Sequence, residues 1–184
     1  MIELAASFDA PLSNLAPYLI YLTVGAVVFF ETGVLFAFFL PGDSILFSAG
    51  LVAAAHGEVN ILILVTVIFI AAFLGDQVGF VIGRLVGRPY LDKHDSPRMQ
   101  KMIARSERFY EQTGWWAVVA ARFFPWIRTF VPPIAGASKM NYYKFLSANI
   151  LGAFLWGVGI TLAGYYAATL PWVKTWSYAI AAFF

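Results

Sequence analysis

The sequence predicts an all-α polytopic membrane protein: two inverted repeats, each with a re-entrant helical hairpin, plus spanning helices and a cytoplasmic interfacial helix. Three observations lead there. The chain is 61% hydrophobic and only 12% charged, outside the range of ordinary soluble domains. Uncharged runs of 21 residues between Asp9 and Glu31, and of 29 between Lys144 and Lys174, each supply the roughly 20 residues that a spanning helix needs. Two further apolar stretches are broken, one at Pro41-Gly42 and one at Pro125, into arms too short to span.

In order along the chain, the first span is read at 13–30, where Pro11 and Asn14 suit a helix start and Glu31 closes the run. The opening MIELAASFDAPLSN lacks the basic region of a secretory signal, so this segment is expected to be retained. Next, Pro41-Gly42 separates arms 32–40 and 44–55, of 9 and 12 residues. Each arm reaches about halfway across a hydrocarbon core roughly 30 Å thick, which favours a hairpin over two spans. Residues 59–83 form the second span, interrupted only by Asp76. Its Gly75, Gly79, Gly83 and Gly87 make a small-residue seam, read as helix packing within one chain or between two copies.

From Arg84 to Glu111 the chain turns polar and carries seven of the twelve Lys and Arg residues, so it is assigned to the cytoplasm. Ser96-Pro97 reads as the start of an interfacial helix whose basic face is solvated, with anionic headgroups as the sharper alternative. The stretch 114–136 divides at Pro125 into a second hairpin, and Pro132-Pro133 argues against a regular second arm. The third span is read at 142–169, with Trp172 and Trp176 as interfacial anchors. The last apolar run stops at Phe183-Phe184, so a longer natural C-terminus is expected.

The whole chain thus reads as one transmembrane domain, 1–184: a first repeat 13–83 with hairpin 32–55, a basic loop 84–111, and a second repeat 112–184 with hairpin 114–136. With 84–111 inside, nine of the twelve basic residues face the cytoplasm, two lie in the membrane and Lys174 lies outside. Oppositely oriented halves with a breaker in each are the mark of inverted-repeat transporters.

Composition also excludes. Without cysteine there is no disulfide, thiolate metal site or cysteine nucleophile. His56 and His94, 38 residues apart, compose no metal motif, and a net charge of +2 is too small to argue for nucleic acid. No metal or other cofactor is expected.

The chemistry is expected where charge meets apolar sequence. Arg122 and Arg128 sit three residues either side of Pro125. A guanidinium cannot shed its proton and costs at least roughly 2.5–3.5 kcal/mol at mid-bilayer, so each needs a cavity, a partner or an anionic ligand. Glu31 and Asp43 belong to the first hairpin region, so all four charges converge if the hairpins meet. Asp76 is read as an arginine partner, a hairpin cap or a proton carrier. Pro41, Gly42 and Pro125 are the hairpin breaks.

The succession Glu31-Thr-Gly33, Pro41-Gly42-Asp43-Ser44, Gly75-Asp76 through Gly83-Arg84, and Arg122-Phe-Phe-Pro125-Trp-Ile-Arg128, ending at Gly136, resembles the DedA family of bacterial inner-membrane proteins, relatives of eukaryotic VTT-domain proteins. The resemblance covers roughly residues 20 to 165. It implies a multi-pass protein of the bacterial cytoplasmic membrane that moves polar lipids: undecaprenyl phosphate for carrier-lipid recycling, or phosphatidylethanolamine, with links to proton-motive force. It also implies that the family's essential acids fall on Glu31 and Asp43 and its essential arginines on Arg122 and Arg128.

Physics alone supports the same assignment by another route. The guanidinium fork matches phosphate oxygens, so Arg122 and Arg128 are expected to bind a lipid phosphate. Glu31, Asp43 and Asp76 either couple protons to its release or neutralise the empty site. An enzyme is not expected, since no H-E-x-x-H or G-x-S-x-G motif is present and no histidine lies near the arginines. A proton-coupled small-ion transporter remains the alternative from another class.

Overall fold

A computed structural model describes residues 2–33, 42–55, 57–93 and 97–170. Most of these residues are helical, with no strand among them. Helix α1 runs Ile2–Gly33, α2 Gly42–Ala55 and α3 Ile61–Ile82, which continues through a π-helical turn at Gly83–Gly87 into α4, Arg88–Lys93. After α5, Pro97–Gln112, come three short helices: α6 Gly114–Ala121, α7 Pro125–Arg128 and α8 Val131–Ala137. Helix α9, Tyr142–Ala153, passes through a second π-helical turn, Phe154–Val158, into α10, Gly159–Ala167.

Two of these continuous helices, Ile61–Lys93 with 33 residues and Tyr142–Ala167 with 26, are long and apolar enough to cross a membrane. At 1.5 Å per residue they reach about 50 and 39 Å, beyond a core of roughly 30 Å. Pro17–Gly33 and Gly42–Ala55 are shorter apolar helices. Both long helices begin alike. The Asn60 side chain accepts from the backbone N–H of Leu62 at 2.9 Å, and Asn141 does the same for Tyr143 at 2.9 Å. Each cap satisfies donors that the first turn leaves unpaired. Exposed Leu62, Ile70, Leu74, Val78 and Val81 on α3 form the apolar exterior that lipid, not water, accepts.

The glycine seam is a packing surface inside one chain. An added Cβ on Gly75 would strike the Thr32 hydroxyl and lie 2.8 Å from the Phe29 carbonyl oxygen, so α1 rests directly on α3. Further along, Gly79 lies against Pro132 and Pro133, and Gly83 against the Pro133 backbone. Gly136 answers from α8, lying against the Phe80 carbonyl and the Arg84 amide of the long helix. A second crossing repeats this between α2 and α10: Gly164 lies on the Phe47 backbone, and Gly50 on that of Thr161 and Tyr165. One apolar cluster centres on Val28, Leu46, Leu64 and Ile68, the other on Phe80, Val118 and Phe145.

Several expected boundaries move. Helix α1 continues past Phe30 to Gly33, so Glu31 lies within a helix and is buried at 1% exposure. The second span does not stop at residue 83. Lacking a breaker before Arg88-Pro89 and supported by an Arg88–Asp92 pair at i,i+4, the helix runs through ten residues of the expected loop. The stretch 114–136 is three helices, not two arms, because Phe124 is extended before Pro125 and a second turn at Thr129-Phe130 precedes the Pro132-Pro133 pair. The third expected span ends as a helix at Ala167, two residues before the expected boundary at 169. Pro41, Ser96, both histidines and the segment 171–184, with its two tryptophans, lie outside the described residues.

Candidate functional site: two arginines around a buried tryptophan

Six segments deliver side chains to one buried centre. The last turn of α1 supplies Glu31, and the first turn of α2 supplies Asp43, where the helix dipole favours an acid. Asp76 comes from the middle of α3, Arg122 from the C-terminal cap of α6 and Arg128 from the last residue of α7. Asn149 of α9 and Trp156 of its π-helical turn close the far side.

Arg128 holds both acids of the first half. One Nη donates to Glu31 and the other to an Asp43 carboxylate oxygen at 2.6 Å. The same oxygen accepts from Trp156 Nε1 at 2.7 Å, and the guanidinium carbon of Arg128 lies 4.6 Å from the Trp156 ring centroid. Arg122 is held separately. Its Nη2 donates to Asp76, to Asn149 Oδ1 at 2.6 Å and to the Ala72 carbonyl at 3.2 Å. Asn149 is in turn oriented by donating to the Phe73 carbonyl at 3.1 Å. The Arg122 guanidinium carbon is 5.9 Å from the same Trp156 ring, so one indole serves both cations.

Exposure separates the acids. The Glu31 and Asp76 side chains are 1% and 5% exposed, whereas Asp43 is 40% exposed and forms the open edge of the centre. Polar capacity also remains inside. Glu31 Oε2, both arginine Nε atoms and Thr129 Oγ1 are buried without a hydrogen-bond partner among the described residues. Buried groups of this kind are normally satisfied by water, an ion or a ligand. Gly42 has a second reason to be glycine, since any Cβ there would collide with the Glu31 carboxylate. Gly152 likewise gives room to the Arg122 side chain, whose Cδ would lie 2.9 Å from an added Cβ.

The residues that the sequence singles out are therefore brought together: Glu31 and Asp43 share Arg128, while Arg122 takes Asp76. Pro125 opens α7 between the two arginines, and Pro41 lies outside the described residues. Sequence reasoning missed Asn149 and Trp156. A carboxamide and an indole in the interior of an apolar run were the available signals, because spanning helices usually carry Trp at their ends.

A family model described as the VTT domain matches residues 40–166, from the beginning of α2 to the end of α10. The chain belongs to the VTT-domain (DedA) family. An uncharacterized membrane protein of Mycobacterium leprae is 43% identical over 150 residues, covering 80% of this VTT-domain chain and 66% of that relative. One from Mycobacterium tuberculosis is 44% identical over 149 residues, covering 80% and 65%. Protein DedA of Escherichia coli K12 is 38% identical over 157 residues, covering 84% of the chain and 72% of the relative. The chain thus spans just under two thirds of the mycobacterial relatives. No solved structure matches it. As a VTT-domain membrane protein with helical spans, it keeps its charged centre within the matched region except for Glu31.

Proposed function

We propose that this VTT-domain protein translocates a phosphate-bearing polar lipid across the bacterial cytoplasmic membrane, with undecaprenyl phosphate as first candidate and carrier-lipid recycling as its purpose. The observation that carries this reading is the pairing of a buried Arg128 with one fully buried and one exposed carboxylate. An arriving phosphate competes for the guanidinium fork with Asp43, the partner that solvent can reach. Glu31 keeps part of the charge balanced during the exchange. Three carboxylates face two guanidiniums, an excess of one negative charge that a single proton would balance, which ties headgroup exchange at Arg128 to proton coupling.

The architecture supports alternating exposure of that centre. Helix α2 packs on α10 and α8 on the α3 end, so each proposed hairpin contributes an arm to the long helix of the other half. Asparagine caps and π-helical turns recur in both long helices, in keeping with an inverted repeat of 13–83 and 112–184. Re-entrant hairpins at 32–55 and 114–136, and a cytoplasmic α5, complete the proposed topology. The role is transport, not bond-making chemistry.

The test is movement of labelled undecaprenyl phosphate between leaflets of liposomes holding the purified protein, beside labelled phosphatidylethanolamine and an ion-flux dye. Translocation of the phosphate monoester, abolished by Arg128→Gln in a variant with unchanged helical content, is expected. Movement of phosphatidylethanolamine alone would reassign the substrate. Ion flux without lipid movement would replace the reading by a small-ion transporter.

A further inference from the structure

About two helical turns beyond Asp76, the long helix enters a second polar place that the proposed transport site does not use. A recess of about 600 Å³ opens between the Gly83–Gly87 turn, the end of α5 and the α8–α9 connection. On its wall Arg88 is held by Glu107, and by Asp92 from outside the recess. That leaves Arg84, Lys139 and Lys144 against the single carboxylate of Glu111, and no described residue forms an ion pair with any of those three cations. Arg84 is fixed in place by donating Nη1 to the Met140 carbonyl at 3.1 Å, with most of its fork still unused.

Lys139 supplies the independent sign. Helix α8 ends in a Schellman turn, with Met140 N–H bonded to the Ala135 carbonyl at 3.1 Å and Lys139 N–H to Gly136 at 3.2 Å. The residue at the left-handed position of such a turn is usually Gly or Asn. Here it is lysine at φ 54°, the only described non-glycine residue with positive φ. The helix dipole favours a cation within the last turn and does not require one in a strained position beyond it. Tyr110 and Ser138 add hydroxyls to the wall. Burial pushes the Tyr110 phenol up to about 12, so it stays a neutral hydroxyl.

We infer that this recess is a second anion site, which takes a phosphate monoester, either as a lipid headgroup or as free phosphate. Three cations, one of them forked, suit a dianion better than a zwitterion, whose ammonium they would repel. The distance from Asp76 to Arg84 along the helix is about 12 Å at 1.5 Å per residue, so the recess lies at the basic end as a separate station. It deepens the transport reading as a waiting point, but its ligand chemistry stands without transport.

The full chain in detergent is titrated by calorimetry with dioctanoyl phosphatidate and with inorganic phosphate. Wild type is compared with Lys139→Asn/Lys144→Gln and, separately, Arg128→Gln. Both lysines are exposed and Asn suits the left-handed turn, so the double variant keeps its fold. Two phosphatidate sites per chain are expected. The lysine variant should weaken one of them by about tenfold or more, as loss of charge-assisted bonds predicts, while Arg128→Gln spares it. Inorganic phosphate that competes at the lysine-dependent site identifies a soluble anion as ligand; phosphatidate held there without competition identifies a lipid headgroup. Unchanged affinity and stoichiometry for both probes in the lysine variant would overturn the recess site, whereas lipid movement by Arg128→Gln would overturn the transport reading alone.

Discussion

At the scale of single residues, Trp156 links two ion-pair systems that otherwise share no partner. Its ring face meets both guanidiniums and its N–H meets Asp43. Trp156→Phe keeps an aromatic face but deletes the donor to a charged acceptor, a bond worth about 1.5–3 kcal/mol. A lower melting temperature in detergent and slower lipid movement are expected. Asp43→Asn makes the opposite experiment. Its carboxamide removes the charge that competes with phosphate for Arg128, so phosphate binding should hold or tighten while transport loses its response to an imposed pH gradient. A variant that still responds to the gradient would remove Asp43 from proton coupling. The arginines and acids were legible in the sequence because charge within apolar runs demands explanation. Their pairing was not, since spacing along the chain cannot say that Arg122 reaches Asp76 across 46 positions. Asn149 and Trp156 were illegible for another reason: neither carries a charge that forces the question.

At the scale of elements, hydropathy located the long helices and erred where backbone chemistry takes over. The helix from Ile61 runs on to Lys93 because polarity ends a membrane span but does not end a helix. Asn60 and Asn141 stand directly before the apolar runs and are legible as N-caps from residue type and position, a local signal that hydropathy does not carry. The glycine seam was legible as packing, and its partners, α1 and the proline pair of α8, were not. Gly83→Ala should cost about 1–3 kcal/mol or more, because its Cβ would enter the Pro133 backbone and neither helix can yield locally. Gly159→Ala is the control. Nothing lies within 4 Å of a Cβ there, and alanine should add up to about 1 kcal/mol through helix propensity. Thermal denaturation of both variants in the same detergent checks the contrast, and equal melting temperatures would contradict the packing assignment.

At the scale of the whole molecule, the all-helical membrane class was legible in the sequence, because charge and apolar length suffice to draw the long helices. Which half supports which could not be seen there. That depends on surface fit between segments more than 100 positions apart, such as Gly50 and Gly164. The two crossings, α2 on α10 and α8 on α3, mean that neither half carries a complete face for its own short helices. A chain cut at 94–96 would therefore yield two pieces that need each other as a lock needs its key. Expressed together from separate genes, 1–95 and 96–184 should co-purify through a tag on one piece, and each alone should be degraded. On this view the continuous chain is a convenience of synthesis, and the protein is a heterodimer whose two subunits happen to be translated as one.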